Sequence, residues 1–288
     1  MIIMSYIFPR TNVENVSLSR MIIGTNWMAG YSHTGPAADK MIKERHSDTT
    51  HLVPMFKAFL EYGIDTIMGP FGGLPVIYRA IQEAQEATGK KMILVDTPSF
   101  NVENSPEARR EAEAKIKESK ELGADICLIH HAACEKLVSK LSGTMDRIDD
   151  YTKMIRDNGM VPGLSCHMPE LVVYSDNNGY DIQTYIQIYN CMGFLMQVEV
   201  ESVYRIIQNA KKPVMTIKPM AAGRCTPFVG LNFNWATIRD CDMITCGCFT
   251  EAEAREDIEI SIAALEGRKA NLGVRNSPVQ NQTAFGKN

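Results

Sequence analysis

The chain has 288 residues, of which 45% are hydrophobic and 22% are charged, and its formal net charge is −4. This length and balance are typical of a folded chain with a large core, and they argue against the disordered and membrane classes. Because basic residues are not in excess, binding to nucleic acid or anionic lipid has no electrostatic support, so we expect a small-molecule substrate as partner.

The first ten residues, MIIMSYIFPR, are apolar over only a few positions before Pro9 and Arg10. A secretory signal needs a longer apolar stretch followed by a small-residue cleavage site. We therefore expect a cytoplasmic protein. A homo-oligomer is compatible with the sequence.

Strand-like and helix-like patterns alternate along the chain. Apolar residues recur at intervals of three and four over 52–62, 106–122 and 198–210, which predicts helices. Ser105 before Pro106, and Thr250 with Glu253 three residues later, are typical helix starts. Eight short apolar runs are typical of strands and lie at residues 20–24, 64–68, 92–95, 126–129, 161–164, 185–188, 214–217 and 243–245.

Alternating units of this kind predict a parallel sheet that is buried on both faces. Eight strands favour closure into a (β/α)8 TIM barrel, which typically needs roughly 250 residues. The alternative is an open, doubly wound sheet that binds a dinucleotide. Its most characteristic motif is missing, because no GxGxxG follows the first strand. We predict an α/β fold with a single barrel domain over residues 1–268. A polar tail at 269–288 either packs late against the barrel or stays mobile.

One predicted loop, residues 26–50, is much longer than the two to six residues usual after a strand. We expect it to cover the mouth of the barrel, and a short helix at 37–45 would make it a lid. Three histidines in or next to it are expected to face solvent, with His33 able to swing over the mouth; the others are His46 and His51.

The eight cysteines lie mostly inside predicted strands or at their ends, and none forms a CxxC pair. We interpret them as reduced thiols of the core. The alternative is that Cys166 or Cys246 faces the site as a ligand or nucleophile.

The order of motifs along most of the chain is similar to that of the aldo/keto reductase superfamily. The resemblance implies a barrel whose members bind NADP(H) extended across the C-terminal face, without a Rossmann domain, and reduce aldehydes or ketones. The segments that carry it are SRMIIGTNWMAG, GIDTI, ADICLIHH, PGLSCH, QIYN, KPMAAGR and CGCFTEAEAR.

Members of that family use an Asp, a Tyr, a Lys and a His. By resemblance, Asp65 matches the Asp and His130 the His. Pro70 stands at the position of the Tyr, and Asp96 and Thr97 stand where the Lys should close the third strand. The resemblance therefore supplies two of the four groups.

The two missing groups weigh against ordinary carbonyl reduction. A positioned general acid contributes about 10²- to 10⁴-fold in rate, which Pro70 cannot supply. A carboxylate at Asp96 in place of Lys disfavours the alkoxide charge that hydride delivery creates. Tyr31 or Tyr174 could replace the proton donor, but neither supplies the positive charge that is lost where Asp96 stands in place of the Lys.

The resemblance also implies cofactor contacts. Ser165 and Gln187 match positions that hold the nicotinamide amide. The loop after strand seven and the start of the helix after strand eight could hold a phosphate at a helix N-terminus beside a cation. As a cap and a surface cation, Thr250 and Arg255 need no ligand at all. The six candidate cofactor residues are Ser165, Gln187, Gly223, Arg224, Thr250 and Arg255.

Polar residues also converge on one face independently of any family. In a closed barrel the C-terminal strand ends surround one mouth. Histidine and carboxylate side chains on separate strand ends can bind a divalent metal, and Asp96, His130 and His167 are the candidate ligands. His131 is expected to point toward a helix or loop, because adjacent strand residues face opposite sides. The candidate catalytic residues are Asp65, Asp96, His130, His167 and Lys218.

Three functions stay open. The first is an enzyme with non-redox acid–base or metal-assisted chemistry, as a lyase, isomerase or hydrolase, on a polar or phosphorylated substrate, with Lys218 as a cation for it. The second is an NAD(P)H-dependent oxidoreductase with a rearranged proton donor. The third is a barrel that binds a ligand or nucleotide without turnover. The cofactor alternatives are accordingly a divalent metal or NADP(H).

Overall fold

The computed structural model describes residues 6–272. The first five residues, and residues 273–288 of the predicted tail, lie outside this range. The strands are β1 (Arg10–Val13), β2 (Val16–Ser19), β3 (Met21–Gly24), β4 (Thr66–Gly69), β5 (Ile93–Asp96), β6 (Ile126–Ile129), β7 (Val138–Ser139), β8 (Thr144–Met145), β9 (Val161–Ser165), β10 (Tyr185–Ile188), β11 (Val214–Ile217) and β12 (Met243–Gly247). The helices are α1 (Asn26–Ala29), α2 (Pro36–Arg45), α3 (Leu52–Glu61), α4 (Pro75–Thr88), α5 (Pro106–Glu121), α6 (His131–Cys134), α7 (Ile148–Asp157), α8 (Glu170–Asn178), α9 (Val200–Asn209), α10 (Pro227–Thr237) and α11 (Glu251–Glu266).

Eight strands form a closed barrel in the order β3, β4, β5, β6, β9, β10, β11 and β12. Every neighbouring pair is parallel, including β12 with β3, which closes the ring. These are the eight strands that the apolar runs predict, with only their ends shifted. The TIM-barrel fold is therefore confirmed.

The barrel is filled by apolar side chains, with an unexpected contribution from the N-terminal hairpin. Strands β1 and β2 pair antiparallel just before β3, at the end of the barrel where the strands begin. Their polar composition, RTNV and VSLS, gives too weak a strand signal to predict. Two hairpin residues, Val13 and Leu18, join an interior cluster that includes Ile22, Val95, Leu128, Ile186 and Met215.

The long loop after β3 contains α1 and α2, and α2 covers the helix predicted at 37–45. The ring nitrogens of His46 lie 3.2 Å from the carbonyl oxygen of Met28 and 3.1 Å from that of Phe249. His46 is therefore buried rather than solvent-facing, because its ring joins this loop to the segment after β12. His51 is exposed, as expected. Within residues 6–272, no helix has the length and apolar character needed to cross a membrane.

Candidate functional site

A cavity of about 860 Å³ opens at the C-terminal ends of the barrel strands. Trp27, Tyr31 and His33 of the long loop form part of its wall, so this loop covers the mouth. Most of the exposed surface of the wall is apolar, although many of the residues that line it carry polar side chains. Six basic or potentially basic groups line it: His33, His130, His131, His167, Lys218 and Arg224.

His130 directly follows β6 and caps the short helix α6. The backbone N–H of Ala132 donates to its Nδ1 at 3.3 Å. Because Nδ1 accepts this bond, the neutral ring carries its proton on Nε2. Burial, together with the neighbouring His131, lowers the pKa of His130 to about 4, so the ring is neutral near pH 7. His130 thus offers the cavity a neutral N–H donor.

His131 and His167 lie face to face in the same wall. Their ring centroids are 3.9 Å apart and their planes differ by 15°. Burial, assisted by the positive charge of Lys218, lowers the pKa of His167 to about 3. The backbone N–H of His167 donates to Oε1 of Glu135 at 2.6 Å, which fixes this segment in place. The pair is therefore neutral and held in a defined geometry.

Lys218 follows β11 and is the least compensated charge of the site. Burial lowers the pKa of its amine from an ordinary value near 10.5 to about 8. Within the described residues, that amine has no hydrogen bond and no ion pair. Its backbone has a left-handed φ of 60°, and Ala221 and Ala222 nearby have φ of 51° and 54°. Such strain in side-chain-bearing residues is concentrated at functional sites.

Two further charged groups at the mouth are engaged with the protein. The guanidinium of Arg224 lies 3.8 Å from the ring centroid of Phe194 and donates to the carbonyl oxygen of His33 at 3.4 Å. Oε2 of Glu253 accepts from the backbone N–H groups of Phe249 and Thr250 at 2.7 and 3.1 Å. Burial alone lowers the pKa of Lys218 and no carboxylate of the described chain offsets it, so the cavity favours an anionic ligand.

The structure places one predicted catalytic residue away from the mouth. Asp65 precedes β4 rather than following it, at the strand's N-terminal end. Its Oδ2 accepts from Nη1 of Arg10, on the N-terminal hairpin, at 2.9 Å. The residues at the mouth end of this strand are Gly69 and Pro70. The predicted run 64–68 begins two residues before β4 does. It therefore includes Asp65, which in the structure precedes the strand at the end opposite the cavity.

Strand alternation moves two other predicted residues off the cavity wall. Val95 and Ile186 fill the barrel interior, so their neighbours Asp96 and Gln187 face the surrounding helices. Oδ1 of Asp96 accepts from the backbone N–H groups of Phe71 and Thr97 at 2.9 and 3.0 Å. Gln187 is buried, with its Oε1 unpartnered. Thr97, not Asp96, lines the cavity.

The predicted cofactor residues divide into two groups. Ser165, Gly223 and Arg224 line the cavity. Thr250 caps α11 through a capping box with Glu253, as the sequence pattern predicts. Arg255 makes ion pairs with Glu61 and Glu251 at 2.8 and 3.0 Å. Thr250 and Arg255 therefore have structural partners that account for them.

Two expectations about side-chain direction need correction. His131 lines the cavity, because β6 ends at Ile129 and His131 already belongs to α6, where strand alternation no longer applies. His33 also lines it. Cys166 is fully buried and its thiol donates to the carbonyl oxygen of Ile186 at 3.2 Å, so it faces away from the mouth. Tyr174 lies on α8, where its ring approaches Gly143.

The metal site predicted from Asp96, His130 and His167 stays a prediction. The two histidines share the cavity, whereas Asp96 faces away from it. Within residues 6–272, one group of three potential ligands has all its ligand atoms within 4.8 Å of one another: Cys246, Cys248 and Asp257. Asp257 also lines the cavity. Sequence reasoning missed Asp257, because it lies inside a helix among other acidic residues, and it missed the positioning carboxylate of Glu135.

Comparison with known proteins shows similarity at the level of the fold. No protein-family model matches the chain, and no curated protein is similar to it. A provisionally named aldo-keto reductase from Pseudomonas aeruginosa superposes with a TM-score of 0.63 at 13% identity, covering 89% of this chain and 95% of that one. An aldo-keto reductase from Klebsiella pneumoniae in complex with NADPH gives a TM-score of 0.54 at 11% identity, covering 93% and 92%.

The octameric ribulose-1,5-bisphosphate carboxylase/oxygenase of Pyrococcus horikoshii is also similar, with a TM-score of 0.52 at 11% identity. It covers 77% of this chain, and 57% of the enzyme is matched. Identities this low establish a shared barrel and nothing about the reaction. The barrel fold of the aldo-keto reductases is thus the fold of this chain, and its chemistry has to be argued from the cavity.

Proposed function

We propose that the protein is an enzyme that performs acid–base chemistry, without hydride transfer, on a small anionic compound with a carbonyl group. A lyase or an isomerase fits best, and a hydrolase is the third class that these groups suit. The observation that carries the proposal is the unpaired amine of Lys218, which is partly buried beside three neutral histidines at the mouth of the barrel.

The charge of Lys218 supports an anionic substrate on energetic grounds. A fall in pKa from near 10.5 to about 8 corresponds to roughly 3 kcal/mol for keeping the ammonium in this environment. An anion about 4 Å away would gain roughly 4 kcal/mol at an effective dielectric constant of about 20. Binding an anion therefore offsets the cost of burying the cation, and the free protein is left with a site that attracts one.

The histidines supply the proton transfers in this proposal. His130 donates its Nε2–H to the carbonyl oxygen, where negative charge develops. His167 or His131 exchanges a proton with the carbon next to the carbonyl. A bound anion raises the pKa of these rings, because it adds a negative charge to surroundings that hold only Lys218 and Arg224 as cations. Substrate binding thus raises the pKa of these rings toward neutral pH, where a histidine can both accept and donate a proton.

Reduction by NAD(P)H is the second candidate, and one observation favours it. Tyr31 lines the same cavity as His130 and could act as a rearranged proton donor. The same cavity is lined by Ser165, Gly223 and Arg224, to which the family resemblance assigns cofactor contacts. The related fold in Klebsiella pneumoniae was solved with NADPH.

Fluorescence of Trp27 provides a test, because this indole lines the cavity. We would titrate the protein with inorganic phosphate, small 2-oxo acids, phosphorylated sugars and NADPH. Our proposal expects an anionic carbonyl compound to change the fluorescence, with at least about tenfold weaker binding in Lys218→Met. Trp27→Phe is the control that should lose the signal and keep the affinity by calorimetry. Tight NADPH binding with oxidation of the cofactor would support the second candidate, and binding without any turnover would support a ligand-binding barrel.

A further inference from the structure

A second cluster of chemically active groups lies behind the cavity wall, between β12 and α11. Cys246 and Cys248 are two residues apart at the end of β12 and project to the same side, toward Asp257 on α11. Thr245 and Gly247, which alternate with them, line the cavity instead. All three members of the cluster are buried.

The distances fit a single small cation. Oδ2 of Asp257 lies 3.1 Å from Sγ of Cys246 and 3.3 Å from Sγ of Cys248. A tetrahedral zinc ion with bonds of about 2.3 Å to sulfur and about 2.0 Å to oxygen places such ligand atoms roughly 3.5 Å apart. The two Sγ–Oδ2 distances therefore need to lengthen by only a few tenths of an ångström to hold the ion.

The cluster is poorly satisfied by the protein itself. Oδ1 of Asp257 is buried and has no hydrogen-bond partner among the described residues, while Oδ2 receives only two weak thiol donors. The charged side chains that act on Asp257 are Glu253 and Glu256, and both are acidic. A buried carboxylate with an unpartnered oxygen and only acidic neighbours attracts a cation.

We propose that Cys246, Cys248 and Asp257 form a binding site for a divalent metal ion, with Zn²⁺ as its natural occupant. Thiolate ligands select zinc over the harder ions Mg²⁺ and Ca²⁺. Asp257 also lines the cavity, so the candidate metal site adjoins the mouth of the barrel. With three protein ligands, a tetrahedral zinc ion would take its fourth ligand from outside this cluster. The site is separate from the histidines at the mouth.

The experiment uses the full chain, reduced with a phosphine, dialysed against a chelator and reloaded with Zn²⁺ or Co²⁺. We expect about one equivalent of metal per chain and thiolate-to-metal charge-transfer absorption with Co²⁺. Cys246→Ser and Cys248→Ser should each weaken Zn²⁺ binding by more than about 100-fold, beyond the range seen for loss of a supporting hydrogen bond. Asp257→Asn, which keeps the shape of the side chain, should weaken binding and preserve the thiolate absorption.

Cys127→Ser is the matched control, since Cys127 is also a buried strand cysteine but lies outside the cluster. It should bind Zn²⁺ like the wild type. The cobalt spectrum of the wild type tests the ligands even where a cysteine variant does not fold. Three results would overturn the proposal: no metal on the reduced protein, cobalt binding without thiolate absorption, or binding that is lost in His130→Ala or His167→Ala and unchanged in Cys246→Ser.

Discussion

Replacement of Lys218 by Met should stabilise the free protein. Met has a similar length, keeps the backbone strain of the position and carries no charge. The unfolded chain holds the lysine proton up to a pKa near 10.5, and the folded protein only up to about 8. Between these values the unfolded state binds more protons, so the stability of the wild type rises with pH. The full cost, roughly 3 kcal/mol, is present below about pH 8 and vanishes above about pH 10.5.

Urea unfolding of both proteins at pH 7 and at pH 10 measures this difference. At pH 7 we expect the variant to be more stable by up to about 3 kcal/mol, and at pH 10 this difference should fall to about 1 kcal/mol or less. Lys40→Met is the control, because Lys40 is exposed on α2 and its loss should change the free energy of unfolding by no more than about 0.5 kcal/mol. A variant that is less stable at pH 7, or a gain that does not change with pH, would refute the account of Lys218 as a partly buried, unpaired cation.

Three further changes test the structural assignments. Arg239→Met should destabilise the protein by about 3 to 5 kcal/mol in urea unfolding, because it strips the fully buried carboxylate of Asp242 of its ion pair; a loss below about 1 kcal/mol would contradict this. Thr250→Ala should cost about 1 kcal/mol by the same measurement and leave the affinity for inorganic phosphate unchanged, whereas Thr250→Ser should retain the stability. Asp65→Asn should lower the free energy of unfolding by less than about 1 kcal/mol and leave kcat unchanged, since its partner Arg10 lies on the N-terminal hairpin. A fall in kcat would contradict this assignment and indicate that Asp65 takes part in the reaction.

The barrel could be predicted from the sequence because each strand is a short apolar run buried on both faces. The same property limits the prediction of the site. A run such as MILVDTP has no polar alternation, so it does not show whether Asp96 or Thr97 faces the mouth. The structure settles this through Val95, which belongs to the interior and puts Asp96 outside. One residue of register therefore decides where Asp96 and Gln187 point, and the structure places both side chains off the cavity wall.

Residues beyond the strand ends were partly predictable for a different reason. His130, His167 and Lys218 each follow a strand of the barrel. Polar residues directly after a barrel strand lie at the mouth, so the positions of these three side chains follow from the strand ends alone. The approach of Cys248 to Asp257 is a contact between a strand end and the second turn of a helix. Nothing in the local pattern signals such a contact, because it is set by the way α11 packs on the barrel.

The most direct test of the proposed chemistry is solvent deuterium exchange at the carbon next to the carbonyl, followed by NMR in the absence of nicotinamide cofactors. With a small anionic carbonyl compound that binds the cavity, we predict enzyme-catalysed exchange whose kcat/KM falls above about pH 8 as Lys218 loses its proton. In Lys218→Arg this fall should move to higher pH, because the guanidinium stays charged. Oxidation of NADPH by the same compounds without exchange, or a pH profile that is identical in Lys218→Arg, would contradict the account.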